Sequence, residues 1–131
     1  MRRLSSIVAL LAAFFLVLAL APVVQAQRLP CRAVKLIVPW KAGGGTDVIF
    51  RVVARKAQEF LGKDMVVQNI SGQGGNKGAK QAKRARPNGC TVFAGHDSMQ
   101  TSYVQGRVDF NYFDFEPISL VTHTPSIIGA H

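Results

Sequence analysis

The chain has 131 residues, 48% of them hydrophobic, and a formal net charge of +9. That length holds one domain at most and excludes a multidomain machine. The positive charge suits an anionic ligand or a polyanionic surface, but it is also common in exported proteins and says nothing about fold.

The first 26 residues stand apart. Met1-Arg2-Arg3 is a basic start, Ile7 to Leu20 is an apolar run, and Val24-Gln25-Ala26 offers the small residues a signal peptidase reads. The run falls short of the ~20 residues of a membrane span and is broken at Pro22. Residues 1–26 are therefore predicted to be a cleaved secretory signal, leaving a mature chain of about +7. Cys31 and Cys90 would then meet an oxidising compartment, where a disulfide is open to them.

Val34 to Asp47, VKLIVPWKAGGGTD, organises the rest. Leu36, Ile37 and Val38 read as a buried strand, Pro39 stops it, Gly43, Gly44 and Gly45 form a loop, and Thr46-Asp47 starts a helix. Glycines let a ligand approach the backbone, and the helix start offers unpartnered N–H groups with partial positive charge. That combination suits phosphate or carboxylate. A tight turn with no ligand is the competing reading. Along the helix, Ile49, Val53, Ala57 and Phe60-Leu61 share one face, with Thr46 as cap and Gly62 as terminator.

Met65 to Gln68 is a second, β-branched strand. A second glycine-rich loop, Asn69 to Asn76, leads into a basic helix over Lys77 to Arg86. Pro87-Asn88-Gly89 is a turn, Cys90 to Gly95 a third strand, and Asp97 or Ser98 caps a short helix to about Val104. Arg107 to Glu116 is aromatic and acidic without a period. Pro117 to Thr122 reads as a fourth strand, and Pro125 to Ala130 opens another apolar run.

Strand and helix in alternation predict an open parallel sheet with helices on both faces. The loops at 39–46, 69–76 and 95–98 all follow strand ends, so they are expected on one edge, where ligands of such sheets bind.

Other chemistry finds little support. His96, His123 and His131 are too scattered for a metal site, and Ser71 and Ser98 lack a usable Ser-His-Asp arrangement. A nucleotide- or phosphate-binding α/β enzyme is an alternative, but no G-x-G-x-x-G opens a helix after the first strand and no Walker lysine follows the glycines. A basic surface- or nucleic-acid-binding module on Lys77 to Arg86 is another, without aromatic stacking residues beside it.

The segments VKLIVPWKAGGGTD, LGKDMVVQNISGQGGNKGA, RPNGCTVFAG and FEPISLVT, in this order and spacing, resemble the extracytoplasmic solute-binding subunits of tripartite tricarboxylate transporters, the Bug-type receptors. The likeness runs from about Leu29 to the last residue. It implies the first lobe of a two-lobed, Venus-flytrap periplasmic-binding-protein fold, in the periplasm, with no catalysis, cofactor, metal or nucleic acid. The expected partners are a small di- or tricarboxylate, held largely by backbone N–H groups, and a membrane permease. A monomer is expected.

Carried over, the ligand residues are Pro39, Trp40, Lys41, Gly43, Gly44, Gly45, Thr46 and Asp47 in the first loop. Gly74, Gly75 and Asn76 supply the second, and His96 and Ser98 the third. His96-Asp97 replaces the family's usual small hydroxyl residues. Cys31 and Cys90 also depart from the pattern together. The family's first and third strands are parallel neighbours, which makes a Cys31–Cys90 bridge sterically plausible. The resemblance divides the chain into the signal at 1–26, a partial first lobe at 27–125 and the start of a crossover at 126–131. With a second lobe absent, this truncated chain is expected to bind carboxylates weakly or not at all.

Overall fold

In strand β1 (Ala33–Val38) Val34, Leu36, Ile37 and Val38 are each no more than 2% exposed. A strand with apolar residues on both faces belongs at the centre of a parallel sheet, and β1 lies there. The computed structural model describes residues 29–123 and orders its three strands β2-β1-β3, with β2 (Asp64–Asn69) and β3 (Thr91–Phe93) both parallel to β1. Val38 pairs with Asn69 and Ile37 with Phe93, so all three strands end at one rim.

Helix α1 (Gly45–Leu61) covers one face, where Leu36, Val38, Ala54 and Ala94 form a core with Phe50, Met65, Val67 and Val92. Phe93 points the other way, as strand alternation requires. It packs with Ala79 of α2 (Asn76–Lys83), Met99 of α3 (Ser98–Val104), Val108, Phe110 and Phe115. Helices flank both faces of an open parallel sheet.

Several local expectations are corrected. Gly44, not Thr46, occupies the cap position of α1, and no side chain caps it. Gly62 does end α1 in the left-handed conformation, at φ 60°. The inward face of α1 is turned by about one residue. Asp47 and Ala54 are buried, whereas Ile49 is 40% and Phe60 82% exposed. Side-chain hydrogen bonds accompany that rotation. Asp47 is pulled inward by partners described below, and Gln58 Oε1 accepts from the Met65 amide (3.0 Å). The basic helix ends at Lys83 rather than Arg86 and is entered through a 3-10 turn, Gln73–Gly75.

Strand β3 is shorter than Cys90 to Gly95, although Lys35 N–H to Cys90 O and Ala94 N–H to Ile37 O prolong the ladder at each end (both 2.9 Å). Pro117 to Thr122 is not a strand, and Ile118 and Leu120 are about four-fifths exposed. A strand requires a ladder partner. Both sides of β1 are taken, and among the described residues none pairs with this segment. The aperiodic stretch before it folds around one 3-10 turn, Tyr112–Asp114. There Asn111 Oδ1 accepts from Phe113 N–H (2.8 Å) and Asp114 Oδ2 from Asn111 N–H (2.9 Å). Lys83 Nζ reaches Asp114 Oδ1 (2.5 Å) and ties that turn to α2.

Cys31 and Cys90 are joined in a disulfide at the amino-terminal rim, their Cα atoms 6.0 Å apart. The expected signal at 1–26 and the crossover at 126–131 lie outside the described residues.

Candidate functional site

The three loops leave the sheet at its carboxyl rim, and two close contacts bring them together. Gly75 sits where any larger residue would fill the junction. A Cβ there would lie 3.5 Å from Pro39 Cβ, 3.6 Å from Ser98 Oγ and 3.6 Å from Trp40 Cζ2, which are parts of the other two loops. Its φ of +90° is one that glycine adopts readily. Gly78, on the first turn of α2, packs against the backbone of the first loop. A Cβ there would meet Ile70 O at 2.9 Å and Pro39 Cα at 3.0 Å.

Between the loops lies a recess of about 10 Å³, the room one water needs. Pro39, Gly74, Gly75, Asn76, His96 and Ser98 line its rim, and Ala79, Phe93 and Met99 its floor. Asn76 is 4% exposed, and its Oδ1 has no hydrogen-bond partner. A buried, unsatisfied amide oxygen at a recess is a polar group waiting for a donor. Trp40 Nε1 is likewise buried without a partner, with the indole set edge-on to the His96 ring at 5.5 Å.

Lys41, Gly43, Gly44 and Gly45 lie on the same rim but outside the lining of the recess, exposed to solvent. Val48 N–H makes the first bond of α1, to Gly44 O (3.0 Å), so the amides of Gly45, Thr46 and Asp47 precede the helical ladder. Asp97 is a neighbour of the recess rather than part of it. Its side chain is 75% exposed and lies against His96 Nδ1, the nitrogen that also accepts from the Ser98 amide (3.3 Å).

Asp47 faces inward. It is 2% exposed, and three donors surround its carboxylate at 2.8 Å: the Gly43 amide and Arg51 Nε at Oδ2, and Asn69 Nδ2 at Oδ1. The hydrogen bond from Arg51, then those from Gly43 and Asn69, favour the ionised form and lower its pKa to about 2. Arg51 and Asn69 were not singled out by sequence reasoning. Asn69 stands 22 residues from Asp47, so only the β1–β2 register brings them together. The floor residues Ala79, Phe93 and Met99 were missed too, because they look like ordinary core. Among the described residues no group of three His, Cys, Asp or Glu side chains could hold a metal ion, and no helix is long and apolar enough to cross a membrane.

Residues 49–130 match the model of the tripartite tricarboxylate transporter family receptor, TctC. BugT of Bordetella pertussis is 30% identical over 130 residues, 96% of this chain and 40% of that protein. A TctC solute-binding protein from Polaromonas, solved without ligand, superposes with a TM-score of 0.65 at 34% identity, over 68% of this chain and 31% of the other. An R. palustris protein solved with adipate gives a TM-score of 0.51 at 34% identity, over 53% and 23%. The chain thus spans well under half the length of the relatives it matches.

Proposed function

This chain belongs to the tripartite tricarboxylate transporter receptor family, a family of solute-binding receptors and not of enzymes, and on that footing we propose that it supplies one wall of a periplasmic carboxylate-binding site. The observation that carries the reading is the meeting of three strand-end loops at one rim, where the amides of Gly45, Thr46 and Asp47 precede the ladder of α1. Adipate in a 34% identical neighbour supports a dicarboxylate-sized ligand.

The chemistry is recognition without reaction. The backbone N–H groups of Gly45, Thr46 and Asp47 at the start of α1, and that of Gly74, offer donors, and the helix dipole adds partial positive charge. Pro39, Gly75, Asn76, His96 and Ser98 shape the seat, with Trp40 and Lys41 at its edge. Charge-assisted hydrogen bonds gain strength only where water is excluded. One wall leaves the site wet, so the 131 residues alone bind a carboxylate only at about millimolar strength. Capture by a membrane permease after a second lobe closes is the physiological step this reading implies. An amino-terminal signal over 1–26 would place the mature chain there.

Nuclear magnetic resonance tests this directly. Titration of the labelled chain with adipate should move the amides of 43–47, 74–76 and 96–98 and leave the far rim still, while hexanediol moves none of them. Shifts confined to other surfaces would overturn the site. Micromolar affinity by calorimetry would overturn the claim that one wall is insufficient.

A further inference from the structure

We propose that the side chains of Asp47, Arg51 and Asn69 act as positioning groups that hold the Trp40–Thr46 loop ready for a ligand those side chains do not touch. The inference rests on the receptor reading above and assigns roles within that same site. Five hydrogen bonds carry it. Asp47 Oδ2 accepts from Gly43 N–H and Arg51 Nε, and its Oδ1 from Asn69 Nδ2. The same Asn69 nitrogen donates to Trp40 O (3.1 Å), and Asn69 Oδ1 accepts from Arg51 Nη2 (3.0 Å). The bonds form a closed set, with every member gripping at least one other.

The geometry argues for positioning rather than contact. Asn69 is the last residue of β2 and pairs across the ladder with Val38, so the set is anchored in the sheet. Besides the Gly44 carbonyl that opens α1, the loop's hydrogen bonds to other elements run through Trp40 O and Gly43 N–H, and both end on this set. Asp47 is the third residue of α1 and reaches back past the cap, much as the acid of a capping box does. Both carboxylate oxygens are already engaged, and Arg51 offsets the charge. An anionic ligand on the rim therefore meets the helix start without facing an unpaired buried carboxylate.

An amide cannot replace this carboxylate. In Asp47→Asn one of the three donors must face an N–H instead of an oxygen. Hydrogen exchange followed by magnetic resonance reads the result on the full chain. Gly43 should exchange about tenfold faster in Asp47→Asn, the worth of one charge-assisted bond, while the amides of β1 keep their rates. Arg51→Gln, a change at a half-exposed side chain that leaves the Gly43 and Asn69 donors in place, should speed Gly43 less, by about threefold. Adipate shifts at 43–47 should weaken in the same order, and Arg51→Lys should recover only part of the loss, since lysine lacks the fork that engages both Asp47 and Asn69.

Unchanged exchange at Gly43 in both variants would overturn the proposal. So would adipate moving the Asp47 carboxyl carbon of the native chain as strongly as it moves the loop amides. If adipate moves nothing in the native chain, the receptor reading fails, and the exchange rates still judge the loop. If Asp47→Asn does not fold, Arg51→Gln decides.

Discussion

The two rims of this sheet are fastened by opposite chemistry. At the carboxyl rim a buried carboxylate accepts three hydrogen bonds within a set of five that joins α1, β2 and a loop, and glycines let the loops touch. At the amino rim one covalent bond, Cys31–Cys90, joins the approach to β1 with the start of β3, and Lys63 Nζ donates to Cys31 O (2.6 Å). The amino rim is thus held by a covalent bond and a lysine contact, and the carboxyl rim by a polar set. The polar rim keeps unfilled hydrogen-bonding capacity at Asn76 and Trp40. The two fastenings share no residue, so each rim can be perturbed on its own.

The largest effect is expected at the amino rim. Closing a loop across 59 residues restricts the unfolded chain by about 4 kcal/mol in the chain-entropy model. Paired Cys31→Ser and Cys90→Ser changes, or reduction, should lower stability by roughly that much in denaturant melts. Native-state exchange at Gly43 should meanwhile keep its rank among the loop amides. A loss at both rims together would show that the fastenings are coupled.

Gly78→Ala comes next. Alanine favours a helix by about 1 kcal/mol over glycine, yet its Cβ would press on Ile70 O and Pro39 Cα. Neither is the tip of a flexible side chain, so a net loss of about 1–2 kcal/mol is expected by thermal melting. Adipate shifts should change too, because Pro39 lines the recess. A neutral result would mean that α2 can back away from the first loop.

The third test is pH. The unfolded Asp47 pKa is near 3.9, and the folded value is about 2. The group thus contributes stability that is fully present above about pH 4 and is lost as pH falls towards 2. Asp114, lowered by its hydrogen bond from Lys83, acts in the same direction. Asp47→Asn should flatten the acid limb of the stability curve more than Asp114→Asn does. Equal flattening would remove Asp47 from its central place. The smallest change is expected from Lys83→Met. Its ion pair with Asp114 joins partly exposed side chains, and such pairs contribute little. Its denaturant midpoint should stay within error of the parent.

Some of this was legible in the chain and some was not. Leu36, Ile37 and Val38 announce a central strand because they leave no polar face, and the glycines after them announce a turn into a helix. Three such turns in alternation place the loops on one rim, a property of parallel topology more than of any single residue. The role of Asp47 was hidden because its partners are set by register. An acid in a first helical turn looks the same whether it faces water or is bonded to a residue of the next strand. The same contacts rotate α1, so Ile49 and Phe60 turned outward against their apolar character. Ile118 and Leu120 show the complementary limit. Residue type reports a capacity to form a strand, but a strand also requires a neighbour, and composition does not name one.

The Cys31–Cys90 bridge has one more consequence. It closes a covalent ring that carries β1, α1, β2 and α2, together with the first two loops. A protease that nicks Lys41 or Gln73 would leave the severed ends in one molecule of unchanged mass apart from the added water. The fragments would separate on a denaturing gel only after thiol treatment, so cleavage in the first two loops should be invisible under oxidising electrophoresis, whereas a cut in the third, beyond Cys90, should not.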